Sequence, residues 1–231
     1  MTESLLALLA PMLLGAQLVL TLVLVKGEIC PGQRGRVHKL LPAIGVLWLS
    51  IVTIKMSAFI VACAIFYFFS KVQISKTRNQ GPLWVLYLAD LLAFLFVAMQ
   101  ASVLPTVFAS IEWVLHISLL GAILAQLLLL IARSRLQAFH RVLPVIGIVS
   151  SMSLALVVAL HVIGLEQASM DSLYQTILIG LACLLVGSVV WCWHLVTRHT
   201  VNKVQLSISL TLLLLAGVQL YPLISWSQPL S

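Results

Sequence analysis

The chain has 231 residues, 62% of them hydrophobic and 8% charged, far from the roughly one-quarter charged composition of soluble domains. Its formal net charge of +7 comes from few residues. With no basic patch interleaved with aromatic stacking partners, that charge does not point to nucleic acid. Composition therefore excludes a soluble enzyme and a nucleic-acid module, and implies a protein that lives in a lipid bilayer.

Taken in order, the apolar runs long enough to cross a bilayer are Leu5 to Val25, Pro82 to Leu104, Val107 to Ala132, Val142 to Gly164, Leu173 to Val196 and Val204 to Ser225. Met1-Thr2-Glu3 is acidic where a secretory signal needs a basic start, so the first run reads as a retained span. The run from Leu40 to Ser70 is ambiguous. As one helix it would measure about 46 Å, well beyond a hydrocarbon core of roughly 30 Å. As two spans meeting near Thr53-Ile54-Lys55-Met56-Ser57, the first would be short, and neither Gly nor Pro marks the turn.

Charge arbitrates. With eight spans, the loops at 26–39, 71–81, 133–141 and 197–203 share one side and hold every Lys and Arg except Lys55. Glu3, Glu166 and Asp171 fall on the opposite side, with Glu112 near it. Seven spans would put the 26–39 loop on the wrong side. Short-loop Lys/Arg bias sets orientation, so the expectation is an all-α, polytopic transmembrane bundle of eight spans. It would sit in a bacterial inner membrane with both termini periplasmic; seven spans is the alternative.

Repetition points to the same count. His38-Lys39-Leu40-Leu41-Pro42-Ala43-Ile44-Gly45 is echoed by His140-Arg141-Val142-Leu143-Pro144-Val145-Ile146-Gly147, and Leu13-Leu14-Gly15-Ala16 by Leu119-Leu120-Gly121-Ala122. Ala62-Cys63 matches Ala182-Cys183 in the same way. These define two parallel four-helix units, 1–104 and 105–231. The simple reading of His38-x-x-x-Pro42 and His140-x-x-x-Pro144 is a helix start. Pro at the first turn lacks only a donor that would be unpaired anyway, and the basic pair anchors the headgroup side. The alternative sets His38 and His140 face to face across a pseudo-two-fold axis, too few ligands for a closed zinc site.

Leu115-His116-Ile117 opening span 5, Arg133 closing it and Arg141-Val142-Leu143-Pro144 opening span 6 together resemble the small SirB-type bacterial inner-membrane proteins. That resemblance implies four-helix units, here in tandem. The polar residue that follows the proline in that family is replaced by Val145-Ile146-Gly147-Ile148.

Asp90, deep inside Leu86-Tyr87-Leu88-Ala89-Asp90-Leu91, is the most informative single residue. An intramembrane carboxyl marks a functional position by default. The structural reading is a hydrogen bond to Tyr87, Gln100 or Gln17. Lys55 would sit at the turn of the split run, where Glu112 could meet it. His116 and His161 fall at similar depth on neighbouring antiparallel helices, the arrangement a bis-His b-type haem uses; interhelical hydrogen bonding is the plainer role. His194 and His199 belong with Arg198 at the interface. Trp113 and Trp226 on one side, with Trp84, Trp191 and Trp193 on the other, read as aromatic belts. Cys30, Cys63, Cys183 and Cys192 lack metal or disulfide spacing and read as small apolar groups.

Three functions remain open from sequence. In the first, a small transporter or permease-like subunit moves a solute or proton past Asp90, Gln17, Gln100 and Gln126. In the second, the chain is a non-catalytic structural or assembly subunit of a larger membrane complex. In the third, it is a b-type haem electron-transfer subunit using His116 and His161. No cofactor is expected outside the third, and a homo-oligomer is compatible with all. An intramembrane hydrolase ranks last, for want of a visible nucleophile–base pair.

Overall fold

The computed structural model describes residues 2–27, 29–74, 81–133, 137–164, 167–197 and 201–225, and these are helical throughout apart from turns and connections. The helices are α1 (Thr2–Lys26), α2 (Pro31–His38), α3 (Leu41–Ile51), α4 (Ala58–Ile74), α5 (Leu83–Ala101), α6 (Val107–Ile131), α7 (Gln137–Ile163), α8 (Gln167–Thr197) and α9 (Lys203–Ile224). Six of them, α1 and α5 to α9, are long and apolar enough to cross a membrane; Ala58–Gln73 within α4 is a shorter apolar helix.

The ambiguous run breaks between Ile51 and Ala58, over the Thr53–Ser57 stretch singled out by charge. Its turn is made without Gly or Pro. The Ser50 hydroxyl donates to Leu47 O at 2.6 Å and the Thr53 hydroxyl to Ser50 O at 2.8 Å. Such local side-chain bonds compete with the helical ladder, and Lys55 beyond them is exposed.

The two His-x-x-x-Pro stretches do not fold alike. Pro42 opens α3 after a corner at Lys39–Leu40, as the helix-start reading requires. Pro144 instead lies inside α7, which begins at Gln137. Upstream of Pro42 the chain forms the separate helix α2 and turns at Lys39–Leu40, whereas the helix begun at Gln137 runs on through Pro144.

α1 and α6 are the most buried of the candidate spans and form the centre. α3 and α5 pack on α1, with α4 bridging them; α7 and α9 flank α6, with α8 bridging them. Across the α1–α6 centre, α1 also meets α9 and α5 meets α6, while α2 packs lightly on α1. The contacts of α1, α3, α4 and α5 are thus repeated by α6, α7, α8 and α9. At the centre Gly15 and Gly121 let the backbones touch: a Cβ on Gly15 would lie 2.8 Å from Gly121 Cα. Small residues are what allow such an approach between membrane helices. Outside the second repeated stretch, polar ties join neighbours, as where the Ser150 hydroxyl donates to Ser118 Oγ at 2.8 Å and Ser209 to Gly187 O at 2.7 Å.

The outer surface is apolar. Leu22, Val46, Phe94, Val149, Leu156 and Leu185 are all at least half exposed, as apolar side chains facing the lipid of a bilayer are. Trp84 and Trp193 stand on it, as belts require, but Trp113 and Trp191 are buried at 2% and 0% exposure. Their indole rings fill interior space instead. No cysteine among the four is fully buried: Cys30 and Cys63 are exposed and the other two half-buried, all of them free.

Candidate functional site

Two buried polar groups sit on opposite sides of the α1–α6 pair. In the first, Gln17 of α1 is fully buried between two partners. Its Nε2 donates to Asp90 Oδ1 of α5 at 2.8 Å, and its Oε1 accepts from Trp48 Nε1 of α3 at 3.2 Å. One amide therefore ties three helices. Thr21, one turn further along α1, places its buried hydroxyl beside the Asp90 carboxyl. Of the partners expected for Asp90, Gln17 is the one found. Tyr87 faces outward, and Gln100 lies at the far end of α5. Gln126 is in the other half, accepting from Trp191 Nε1 at 2.6 Å. The intramembrane glutamines therefore do not line one path.

The second group is built on Glu112, one turn and a half into α6. Its Oε1 meets His161 Nδ1 of α7 at 2.8 Å, and its backbone oxygen accepts from His116 Nδ1 at 2.7 Å. His161 Nε2 in turn lies 3.3 Å from Thr106 Oγ1. Thr106 is the N-cap of α6 and accepts from Ala109 N at 3.0 Å. That leaves its hydroxyl hydrogen for the imidazole, and His161 then donates from Nδ1 to the carboxylate. Phe108 stacks on the His161 ring with centroids 5.7 Å apart. The result is a hydroxyl–imidazole–carboxylate line from the α5–α6 connection to the buried interior. Sequence showed no such base–hydroxyl pair because its members are 55 and 49 residues apart.

Several expectations change here. Glu112 is fully buried and pairs with His161, not with Lys55, which remains exposed. His116 and His161 do converge, but around Glu112. Both nitrogens of His161 already have protein partners, whereas His116 Nε2 is buried without one and faces Gly217 of α9. Axial ligation of a haem iron takes one nitrogen of each imidazole, so at His161 it would displace either the Thr106 or the Glu112 contact. Among the described residues, no group of three or more His, Cys, Asp or Glu is placed to hold a metal.

His38 is fully buried, edge-on to Phe68 with centroids 5.7 Å apart, and so is not an interfacial residue. The side chain of His140 lies outside the described residues, as do His199, Arg198, Glu166, Trp226 and the side chain of Asp171. His194 is buried, with Nδ1 2.7 Å from Trp191 O.

A family model described as an integral membrane domain matches residues 2–226. The chain belongs to that integral membrane domain family. An uncharacterized protein of Haemophilus influenzae is 29% identical over 207 residues, covering 84% of this chain and 77% of its own length. No solved structure matches. The family and the apolar helices agree that this is a multi-pass protein of the lipid bilayer.

In this family member the residues sequence reasoning missed are Trp48 and Thr106, and Trp191, expected in an aromatic belt, is buried instead. Each of the two tryptophans has a buried amide opposite its indole N–H. The signal available for them was the glutamine: a Gln in a lipid-spanning helix must find a partner.

Proposed function

We propose that the protein is a small proton-linked transport protein or permease-like subunit. The observation that carries this reading is the Glu112–His161–Thr106 line. Chains of Asp, Glu and His inside a membrane are the usual material of proton relays, and isolated intramembrane carboxyls are retained for function by default. Asp90, held by Gln17, is a second station on the other side of the α1–α6 pair. The test is proton flux in proteoliposomes with a trapped pH dye and an imposed potential. The intact protein should collapse the gradient faster than protein-free vesicles, and Glu112→Gln and Asp90→Asn should each remove most of that flux. Flux equal to that of empty vesicles sinks the proposal.

The topology that goes with it has eight crossings as two repeats, 1–104 and 105–231, with the basic loops cytoplasmic and both termini periplasmic in an inner membrane. Its support is the repeated packing order of the helices together with the one-sided Lys/Arg distribution. Each repeat would correspond to a SirB-like helical unit. In it α3, about 16 Å long, crosses with help from the corner at Lys39–Leu40 and the Val52–Ser57 turn.

A second reading, a structural or assembly subunit, draws on the Gln17–Trp48 and Gln126–Trp191 bonds. These tie helices together without leaving a group free to react. It predicts that Asp90→Asn changes stability but no flux.

A further inference from the structure

Thr106, His161 and Glu112 stand in the order hydroxyl, imidazole, carboxylate, which is also the order that activates an alcohol for attack. Thr106 Oγ1 lies 3.3 Å from His161 Nε2, and His161 Nδ1 lies 2.8 Å from Glu112 Oε1. Those are the contacts of a nucleophile, its base and the group that orients the base. The first is slightly long, as such bonds commonly are before substrate closes on them. With its Nδ1 hydrogen given to Glu112, His161 keeps Nε2 as acceptor for the Thr106 hydroxyl hydrogen. One lone pair of Oγ1 accepts from Ala109 N at 3.0 Å, and the second is left to form a bond.

The surroundings suit an apolar ester. His161 and Glu112 are 4% and 0% exposed, so the base and its partner are withdrawn from water. Phe108 stacks on the imidazole and shields one of its faces. Thr106 is half-buried at the start of α6, between exposed Pro105 and exposed Val107. The nucleophile is therefore the outermost member of the three and stands in an apolar rim. It also begins a helix, whose first-turn N–H groups lack a carbonyl of their own helix. Such donors stabilise charge developing on oxygen.

We propose that Thr106 is the nucleophile of a fatty-acyl ester hydrolase, with His161 as general base and Glu112 positioning the imidazole. Thr106 Oγ1 bonds to the ester carbonyl carbon while its proton passes to His161 Nε2. The carbon–oxygen bond to the alcohol then breaks, and His161 returns that proton to the departing oxygen. Water, deprotonated by the same imidazole, attacks the acyl-Thr106 ester; the fatty acid leaves and Thr106 recovers its hydroxyl hydrogen. Ester and water thus become acid and alcohol with no change of oxidation state. The same side chains carry the proton-flux reading, but ester cleavage needs no gradient and goes beyond it.

The experiment measures hydrolysis of p-nitrophenyl decanoate by the full chain in detergent micelles, where no proton gradient exists. Failure here is therefore separate from failure of proton flux in proteoliposomes. Cleavage above that of protein-free micelles is expected. Thr106→Asn keeps an N-cap but has no hydroxyl, and should abolish cleavage; Thr106→Ser should retain it. Glu112→Gln should lower kcat about a hundredfold with KM unchanged. A hexadecyl fluorophosphonate, incubated with the parent chain, should be found by mass spectrometry on Thr106, which decides the matter even if Thr106→Asn does not fold. Cleavage no faster than in empty micelles, cleavage unaltered in folded Thr106→Asn, or a label on another residue overturns the proposal.

Discussion

Gly15 of α1 and Gly121 of α6 meet backbone to backbone, and each would place an added Cβ against the other's main chain. They hold the same position in the Leu-Leu-Gly-Ala tetrapeptides at 13–16 and 119–122. A sequence echo thus becomes a point of contact at the centre of the bundle.

That contact has no slack. Gly121→Ala drives a methyl into backbone rather than into a side chain that could turn aside. Overpacking of this kind costs about 1–3 kcal/mol, or a fall of about 2–12 °C in Tm for a chain of this size. Gly32→Ala, which meets nothing within 4 Å, should leave Tm within about 2 °C of the parent. Thermal unfolding in detergent compares the two, and equal Tm values for them would count against the close approach.

Gln17 is the shared partner of Asp90 and Trp48, so removing it should cost more than removing either neighbour. Gln17→Leu strands a buried carboxyl and a buried indole donor, at about 1–3 kcal/mol for each group left unsatisfied. Trp48→Phe strands one amide oxygen. A double-mutant cycle between Gln17→Leu and Asp90→Leu should show a coupling of about 1–3 kcal/mol. Simple additivity would mean that the bond does not form in the bilayer.

Gly147 is packed under the ring of Trp191, and an added Cβ there would overlap the indole. Gly147→Ala should therefore be strongly destabilising in the parent. In a Trp191→Leu background, where the ring is gone, the same change should cost little. The counterpart pair is gentler: a Cβ on Gly45 would meet the tip of Phe66 at 2.9 Å. Gly45→Ala should accordingly lower Tm less than Gly147→Ala. The reverse order would contradict the packing.

Topology can be read from labelling. After the four free cysteines, Cys30, Cys63, Cys183 and Cys192, are replaced by Ser or Ala, single cysteines at Arg36 and Lys55 should react from opposite faces of the membrane. An impermeant maleimide applied to spheroplasts should modify the Lys55 position alone. Modification at Arg36 would refute the eight-crossing arrangement and return the seven-span alternative.

Much of the architecture was legible in the chain. The spans at 5–25, 82–104, 107–132, 142–164, 173–196 and 204–225 match α1 and α5 to α9 to within a few residues at most ends. Lipid makes this possible, because every backbone polar group in hydrocarbon must be satisfied within its own helix, so length and apolarity suffice to find a span. The break near Lys55 was legible for a different reason: topology follows Lys and Arg in short loops. The convergence of His116 and His161 followed from helical rise alone, which sets depth along the normal.

What tertiary structure decided is direction around each helix. Depth does not say which neighbour a side chain faces, and an almost uniformly apolar helix carries no amphipathic stripe to orient it. Gln17 could have met any of several helices, and Trp113 and Trp191 could equally have faced lipid. That Asp90 pairs with Gln17, that Glu112 turns inward to His161 and away from Lys55, and that Pro144 lies within a helix while Pro42 starts one, were settled by packing. In a bilayer, composition fixes which segments enter the membrane, and close contact between small residues and ring edges fixes what they face once there.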